Sequence, residues 1–292
     1  MPPSTDKHYQ ARIVERRDIS PDLRVVRVDP GGPFKFIAGQ YATLGIERDG
    51  RRFERAYSIV SSPYEHFLEF FVELVPQGDV TPDLFKLNIG DTLFCRKIAK
   101  GRFTLDLRSG RTQHLLVSTV TGIAPFVSYV RTLYRDWKNG DGAMPGTDKM
   151  SGARKMPGAD KISGAQRMPG AHKLFCLHGA SRSWEFAYRE ELERVAAEAP
   201  WFKYLPAVSR PWEDPEWKGE TGRVDDLLRK YEEAWGLRPE ATTAYLCGHP
   251  SMVENSRGIL QRAGWKKEAM FDEVYFVQGK SGVTNAAETV ST

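Results

Sequence analysis

The feature that most constrains the fold is a change in the pattern of the chain near residue 113. Before it, short runs of β-branched and aromatic residues are separated by turn signals such as Asp49-Gly50, which is typical of antiparallel strands. After it, apolar strands alternate with helical segments, which predicts a doubly wound parallel sheet. Because the two patterns belong to different architectures, the 292 residues are expected to form two domains.

The N-terminal pattern predicts a closed or nearly closed antiparallel β-barrel. Within it, Gly78 and Asp79 precede a short helical turn, whose free backbone N–H groups can face an anion. A plain capped helix explains that segment equally well. The barrel strands are expected at 11–16, 23–28, 41–46, 53–59, 67–75, 92–96 and 102–105.

The C-terminal pattern begins with an uninterrupted apolar strand at 115–120, which is typical of a strand buried on both faces of a sheet. It ends in Thr-Gly-Ile-Ala-Pro at 121–125, and proline in a first turn signals the start of the next helix. Ligands of such a sheet bind at the carboxyl ends of its strands, although no G-x-G-x-x-G occurs here. Further strands are expected at 174–177, 204–208, 244–246 and 269–276, and helices at 185–197, 224–231 and 251–263.

Composition describes a globular protein, with 40% hydrophobic and 27% charged residues. The first ten residues carry no apolar signal segment, and no run approaches the ~18 apolar residues that span a bilayer, so we expect a cytoplasmic protein without membrane association. Cys95, Cys176 and Cys247 are odd in number and far apart, which fits no disulfide framework, zinc site or four-cysteine cluster. We therefore expect no metal centre, and Cys95 and Cys176 are expected to be buried small apolar residues.

A twelve-residue repeat at 144–173 interrupts the C-terminal pattern, and we place the flexible insertion that contains most of it at 139–172. Recurring glycine and proline with almost no aromatic residues predict a mobile loop. Its six lysines and arginines against two aspartates carry a net charge of +4, which is the net charge of the whole chain. The folded body is therefore neutral, which argues against nucleic acid as a partner.

The motif Arg55-Ala56-Tyr57-Ser58 combines three chemistries that suit a flavin nucleotide. The arginine offers a fork of donors to a phosphate, and the tyrosine, two residues on, offers a flat ring on the same face of the strand. The serine hydroxyl adds a donor and acceptor beside that ring. Taken alone, these four residues are explained as well by an ordinary barrel strand with a surface arginine.

The order of the motifs resembles that of the ferredoxin–NADP reductase family over roughly residues 9–277. The motif at 55–58 is followed by the glycine-containing turn at 78–84, by Thr-Gly-Ile-Ala-Pro at 121–125, by Cys-Gly-His-Pro-Ser-Met at 247–252 and by Glu-Val-Tyr at 273–275. The resemblance implies an FAD-binding barrel at 1–110, an NADP-binding α/β domain at 111–277 and a polar tail at 278–292. It also implies FAD and NADP(H) as cofactors.

The resemblance assigns roles to residues of the first domain. Arg55, with Ala56 in the same motif, would hold the flavin pyrophosphate; Tyr57 would stack on the isoalloxazine ring, and Ser58 would lie near its reactive nitrogen. Val72 and Leu74 would line the flavin. A second phosphate cradle would be formed by Gly78, Asp79, Val80 and Thr81.

In the second domain, the resemblance implies that Cys247 and Gly248 border the nicotinamide and that Glu273 passes protons towards Ser58. Ser58, Cys247 and Glu273 are thus the candidates for catalysis. Tyr275 or Phe276 would cover the other flavin face. Thr121 and Gly122 would meet the nucleotide, and its extra phosphate would be held by Ser209 and Arg210, with Arg223 adding a second charge.

The implied activity is an FAD-dependent ferredoxin–NADP or flavodoxin–NADP reductase, which exchanges electrons between NADPH and a one-electron carrier. A reductase component of an oxygenase, or an NAD(P)H–flavin reductase, has the same two domains and stays open, as does a non-enzymatic binding module. The chain departs from the family pattern at Val120, where a glycine is usual, and at Ser181, where an arginine is frequent. His178, near the end of a strand, is expected to be structural.

Overall fold

The computed structural model describes residues 7–140 and 172–274, and its N-terminal part is a six-stranded antiparallel sheet. The strands lie in the order β4-β3-β6-β1-β2-β5. Their bounds are β1 His8–Ser20, β2 Leu23–Asp29, β3 Tyr41–Arg48, β4 Arg51–Ser58, β5 Leu68–Glu73 and β6 Thr92–Arg96.

This sheet curls into a nearly closed barrel, as the sequence predicts. The N–H of Val60, just beyond β4, donates to the carbonyl of Glu69 in β5 at 2.8 Å, so the two outer strands meet at one end. Asp49 and Gly50 join β3 to β4 with φ angles of 52° and 71°, which is the turn that an Asp-Gly pair favours in hairpins. The barrel core is apolar and includes Ile13, Leu44, Ile59, Phe70 and Leu84.

The prediction of a strand at 102–105 is wrong. Phe103 and Leu105 are buried in an apolar cluster that both domains share, with Phe71 of the barrel on one side and Phe126 of the second domain on the other. The hydroxyl of Tyr129 donates to the carbonyl of Phe103, and the N–H of Asp106 donates to the hydroxyl of Tyr245 at 2.7 Å. These backbone groups are satisfied by tyrosine side chains from the other domain, which no local pattern reveals.

The second sheet has six parallel strands in the order β10-β9-β8-β7-β11-β12. From β7 to β10 each new strand is added towards one edge of the sheet, whereas β11 and β12 are added towards the opposite edge. The topological switch point therefore lies between β7 and β11. The strands are β7 Gln113–Thr119, β8 Lys173–Ala180, β9 Phe202–Val208, β10 Glu220–Thr221, β11 Thr242–Gly248 and β12 Met270–Val274. The helices of the described chain are α1 Thr81–Leu84 in the barrel domain, and α2 Ala124–Asn139, α3 Arg189–Glu198, α4 Leu228–Ala234 and α5 Pro250–Arg262.

The second sheet is buried on both faces, which confirms the doubly wound prediction. Leu116 of β7 packs into one apolar cluster with Phe126 of α2, whereas Leu115 and Val117 pack into another cluster with Leu260 of α5. Pro125 lies in the first turn of α2, as expected from its helix-start signal. Cys95 and Cys176 are buried thiols, also as expected.

Three element boundaries differ from the predictions. β7 ends at Thr119 because Val120 takes a φ of +42° and opens a short 3-10 turn. The helix predicted at 185–197 begins only at Arg189, since the carboxylate of Glu185 accepts the N–H of Ser181 at 2.7 Å and stabilises a separate turn. The helix predicted at 224–231 likewise starts late, at Leu228.

An ionic network joins the two domains. The guanidinium of Arg131 in α2 lies 3.1 Å from a carboxylate oxygen of Glu69 in β5 and 2.8 Å from Glu191 in α3. Glu69 also accepts a hydrogen bond of 2.9 Å from the hydroxyl of Tyr188 and pairs with Arg27 at 2.7 Å. The side chains of Glu69 and Arg131 are 5% and 17% exposed, so the centre of the network is buried between the barrel and the second domain.

Within the described ranges, no helix has the length and apolar character needed to cross a membrane. In those same ranges, no group of three or more histidine, cysteine or acidic side chains could hold a metal ion. The repeat lies outside the described residues except for His172, which is buried, and Lys173, which begins β8. The predicted tail at 278–292 lies outside them altogether.

Candidate functional site

The three candidates for catalysis come together where the barrel meets the second sheet. Ser58 is the last residue of β4, and its hydroxyl lies 3.4 Å from a carboxylate oxygen of Glu273 in β12. Glu273 is the register partner of Cys247 in β11, and Cys247 is in turn the register partner of Ser118 in β7. The site therefore lies at the carboxyl ends of β11 and β7, beside the switch point of the sheet.

Burial raises the pKa of Glu273 to about 7. The hydrogen bond from Ser58 opposes this shift, and the neighbouring Asp272 carboxylate adds to it. A carboxyl group with a pKa near 7 can hold a proton or release it close to neutral pH, which suits a group that passes protons.

Tyr57 offers a polar group with no protein partner. Its hydroxyl is buried and lacks a hydrogen-bond partner among the described residues, and burial raises its pKa. The ring packs edge-on against Phe70 of the barrel core, with 6.4 Å between ring centroids. Since buried hydroxyls are nearly always hydrogen-bonded, this orphaned group fits a site that a bound molecule completes.

Arg55 connects the two parts of the predicted phosphate site. Its guanidinium forms an ion pair with Asp79 of the 78–81 loop and donates to the carbonyl of Glu54 at 2.9 Å. Both charged side chains are about half exposed, at 54% and 49%, and Ala56 beside them is exposed as well. The pair is thus accessible to an anion that could replace Asp79 on the arginine.

Hydrogen bonds to Val75 stabilise the 78–81 loop. The N–H of Gly78 donates to the carbonyl of Val75 at 2.9 Å, and the Thr81 hydroxyl accepts the Val75 N–H at 2.9 Å. Val80 is the N-cap of α1, and its side chain makes no capping bond. Thr81 therefore shapes this loop through its side chain.

The two residues expected to line the flavin differ in their surroundings. Val72 in β5 is buried in the barrel core. Leu74 lies just beyond β5, where it is half-buried and its N–H donates to the carbonyl of Asp22 at 2.7 Å. Of the two, Leu74 is the more accessible to a ligand.

Two glycines let the turns after β7 and β11 pack backbone against backbone. A Cβ atom on Gly122 would lie 2.2 Å from the carbonyl oxygen of Cys247. A Cβ on Gly248, whose φ is +135°, would lie 2.3 Å from the hydroxyl oxygen of Thr119. Gly122 and the half-buried Thr121 are thereby brought beside Cys247 and Gly248.

Thr119 is a residue that the sequence analysis missed. Its hydroxyl oxygen accepts the N–H of His249 at 2.9 Å and so joins the ends of β7 and β11. No local pattern marks it, because its partner is 130 residues away in the chain.

The residues expected to meet the extra phosphate of NADPH lie after β9 and β10. Ser209 donates its N–H to the carbonyl of Ala180 at 2.9 Å, and Arg210 is 49% exposed with its guanidinium 3.7 Å from Glu213. Arg182 pairs with Glu213 too, and with Glu185 at 3.1 Å. Arg223, after β10, pairs with Asp225 at 3.2 Å. Tyr275 lies outside the described residues.

Two domain families match the chain. The oxidoreductase FAD-binding domain matches residues 10–104, and the oxidoreductase NAD-binding domain matches residues 116–258. Together with the barrel, the parallel sheet and the site between them, they define the class: a two-domain flavoprotein oxidoreductase that uses FAD and a nicotinamide nucleotide.

Similar proteins narrow the class to one family. The chain is 42% identical over 274 residues to ferredoxin–NADP reductase A of Sorangium cellulosum, covering 89% of this chain and 85% of that one. It is 32% identical over 253 residues to a ferredoxin–NADP reductase of Pseudomonas aeruginosa, covering 82% of each. The protein belongs to the ferredoxin–NADP reductase family.

A solved structure shares the fold. The ferredoxin NADP⁺ reductase of Neisseria gonorrhoeae, crystallised with FAD and NADP, superposes with a TM-score of 0.73 at 24% identity, covering 93% of this chain and all of that one. The expected fold class, a barrel followed by a doubly wound sheet, is therefore confirmed.

Proposed function

We propose that this protein transfers electrons between NADPH and a one-electron carrier protein, a ferredoxin or a flavodoxin, through bound FAD. The observation that carries the proposal is the 3.4 Å contact between Ser58 of the barrel and Glu273 of the second sheet, with Cys247 adjacent in register. This contact joins the flavin motif of one domain to the nucleotide motif of the other, as hydride transfer between two cofactors requires.

The residues present fit FAD. Arg55 would hold its pyrophosphate, and Tyr57 would lie against the ring and find a partner for its orphaned hydroxyl. Ala56 and Leu74 would line the site, and Gly78, Asp79 and Val80 would form the second phosphate cradle, with Thr81 holding its shape. When bound, FAD supplies hydride exchange with NADPH and single-electron exchange with a carrier.

The residues of the second domain fit a nicotinamide nucleotide. Thr121 and Gly122 would meet its pyrophosphate side, and Cys247 and Gly248 would border the nicotinamide, because the ends of β7 and β11 pack together at the switch point. Ser209, Arg210 and Arg223 would bind the extra phosphate of NADPH. Tyr275 would cover the flavin face opposite to Tyr57.

Glu273 and Ser58 would hold and move a proton beside the flavin. Because burial raises the pKa of Glu273 to about 7, the carboxyl is half protonated near neutral pH and can donate to or accept from the Ser58 hydroxyl. The other elements of the proposal are a boundary between the domains near residue 110, a ferredoxin or flavodoxin as transient partner, and a cytoplasmic location.

An anaerobic titration of the purified protein tests the cofactors. NADPH is expected to bleach the flavin absorbance at concentrations at least tenfold below NADH, because an arginine fork gains a dianionic partner only from NADPH. If NADPH and NADH bleached the flavin at equal concentrations, Arg210 would not bind the extra phosphate of NADPH. A protein that cannot be loaded with FAD would contradict the proposed function and would favour a binding module.

Electron delivery tests the carrier. A ferredoxin and a flavodoxin are each offered to the FAD-loaded protein with NADPH under nitrogen, and free FMN and FAD serve as the comparison. Faster reduction of a carrier protein than of free flavin supports the proposal. The reverse order of rates would identify a flavin reductase, and reduction restricted to an oxygenase ferredoxin would identify an oxygenase component.

A further inference from the structure

The turn between β7 and α2 is built on a strained residue. Val120 has a φ of +42°, and among the described residues only Asp49 shares a positive φ without being glycine. Aspartate tolerates this region in a hairpin turn, whereas a β-branched residue there crowds its own carbonyl and is a genuine outlier. Such a conformation persists only when its surroundings hold it in place.

A buried histidine holds the carbonyl of Val120. The Nε2 atom of His178, in β8, lies 3.1 Å from the Val120 carbonyl oxygen, and Nδ1 lies 2.9 Å from the Tyr204 hydroxyl. A carbonyl oxygen can only accept, so Nε2 carries the proton and donates to it. Burial lowers the pKa of His178 to about 3, so the ring is neutral and Nδ1 accepts from Tyr204.

The side chain of Val120 is held as well. It packs against a small apolar cluster made of Ala180, Phe186, Val208 and Trp217. The His178 ring packs edge-on against Phe186 of the same cluster, with 4.8 Å between ring centroids. The carbonyl group of Val120 is thus held by His178 of β8, and its side chain is held by the apolar cluster beside β8.

The residues that follow Val120 are those that approach the nucleotide. Gly122 is already in contact with the backbone of Cys247 and Gly248, so the turn has one side against β11 and the other held by His178. We propose that His178 is a positioning residue, which keeps Val120 left-handed and thereby sets the affinity of the 121–122 turn for the nicotinamide nucleotide. The inference rests on the proposed function in one respect, namely that this turn binds the nucleotide.

The test compares dissociation constants for NADP⁺, measured by calorimetric titration of the FAD-loaded protein. His178→Leu leaves the Val120 carbonyl without its donor, and it is expected to raise the dissociation constant about tenfold, with FAD content as in the wild type. His178→Gln places an amide N–H near the Nε2 position and is expected to restore most of the affinity.

A double-mutant cycle separates positioning from general packing. In a Val120→Gly background the turn has no Cβ strain, so His178→Leu is expected to change the dissociation constant less than threefold. Tyr204→Phe removes the hydroxyl that fixes the histidine tautomer, and a rise of about threefold is expected in the Val120 background alone. Tyr134→Phe, a hydroxyl deletion on the outer side of α2, is the matched control.

Either of two results overturns the inference. One is an unchanged dissociation constant in folded His178→Leu, and the other is an equal effect of His178→Leu in the wild type and in the Val120→Gly variant. If His178→Leu does not fold, Tyr204→Phe in both backgrounds decides the question in the same way. Failure of the proposed function can be told apart from failure of this inference. If the proposed function were wrong, the wild-type protein would bind no NADP⁺ in the first titration.

Discussion

Glu69 and Glu273 are two buried glutamates whose surroundings shift their pKa values in opposite directions. Burial alone would raise the pKa of both. At Glu69 the charges of Arg131 and Arg27 and the Tyr188 hydroxyl outweigh burial, so its pKa is lowered. Glu273 has only the Ser58 hydroxyl among the groups that lower its pKa, so burial prevails. Glu69 is thus held ionised for structure, whereas Glu273 can titrate near neutral pH.

Replacing Glu273 tests whether its carboxyl group transfers a proton. Glu273→Gln is expected to lower turnover at least tenfold and to remove an apparent pKa near 7 from the pH profile of kcat. The folded pKa exceeds the unfolded value, so this carboxyl lowers stability as pH rises from about 4.5 to 7. The melting temperature of Glu273→Gln, relative to that of the wild type, should therefore be higher at pH 8 than at pH 5. The exposed Glu268→Gln is the control, and a profile unchanged in Glu273→Gln would refute the role.

Glu213 lies beside Arg210, which we propose binds the extra phosphate of NADPH. Its carboxylate pairs with Arg182 and lies 3.7 Å from Arg210. Glu213→Gln removes this charge, so we expect the dissociation constant for NADP⁺ to fall about threefold while that for NAD⁺ is unchanged. Glu216→Gln, an exposed neighbour, is the matched control. Equal changes for both nucleotides would show that Glu213 does not face the extra phosphate.

At the scale of elements, the site depends on how closely the end of β7 approaches the end of β11. The close contact is made by Gly122 and Gly248, and Thr119 adds a hydrogen bond across the same gap. Ordinary side chains at the two glycines would separate the strand ends, because a Cβ cannot occupy a site 2.2 Å from a carbonyl oxygen.

Gly122→Ala tests this packing. We expect a loss of about 1–3 kcal/mol of stability and a loss of NADP⁺ binding, since the turn must move away from Cys247. Gly258→Ala is the control in α5, where the nearest atom is the flexible end of Arg262 at 3.3 Å. That variant should gain up to about 1 kcal/mol, because alanine favours a helix over glycine. Urea unfolding measures both, and a neutral Gly122→Ala would contradict the argument.

At the scale of the whole molecule, the two domains are held together by buried polar contacts as well as by shared apolar core. Arg131 contacts Glu69 of the barrel and Glu191 of α3, and Tyr129 and Tyr245 bind the backbone of the 103–106 segment. The site lies across this junction, so the relative position of Ser58 and Glu273 depends on it.

Arg131→Met tests the junction. Removing one partner of a buried ionic network leaves Glu69 partly uncompensated, so we expect a loss of about 3–5 kcal/mol in urea unfolding at pH 7. The lowered pKa of Glu69 contributes stability above its unfolded pKa that is lost as pH falls through the folded value, and this loss should be smaller in the variant. Arg194→Met, which breaks an exposed pair with Glu198, should change the free energy of unfolding far less than Arg131→Met does. Equal losses in the two variants would mean that the network does not join the domains.

The sequence by itself determined the order of the two architectures and the chemistry of the motifs. Alternation with Asp-Gly turns predicts hairpins, and continuous apolar runs predict strands buried on both faces, because both patterns report local burial. The motif at 55–58 likewise carries its chemistry in four consecutive residues.

Only the tertiary structure decided which groups act together. The segment at 103–105 has the composition of a strand, yet its backbone is bound by Tyr129 and Tyr245, and Val120 has the composition of a strand residue, yet His178 holds it in a left-handed turn. The Ser58–Glu273 contact spans 215 positions of the chain. Such contacts depend on the packing of distant elements, and a hydrogen bond between them leaves no periodic signal in the sequence.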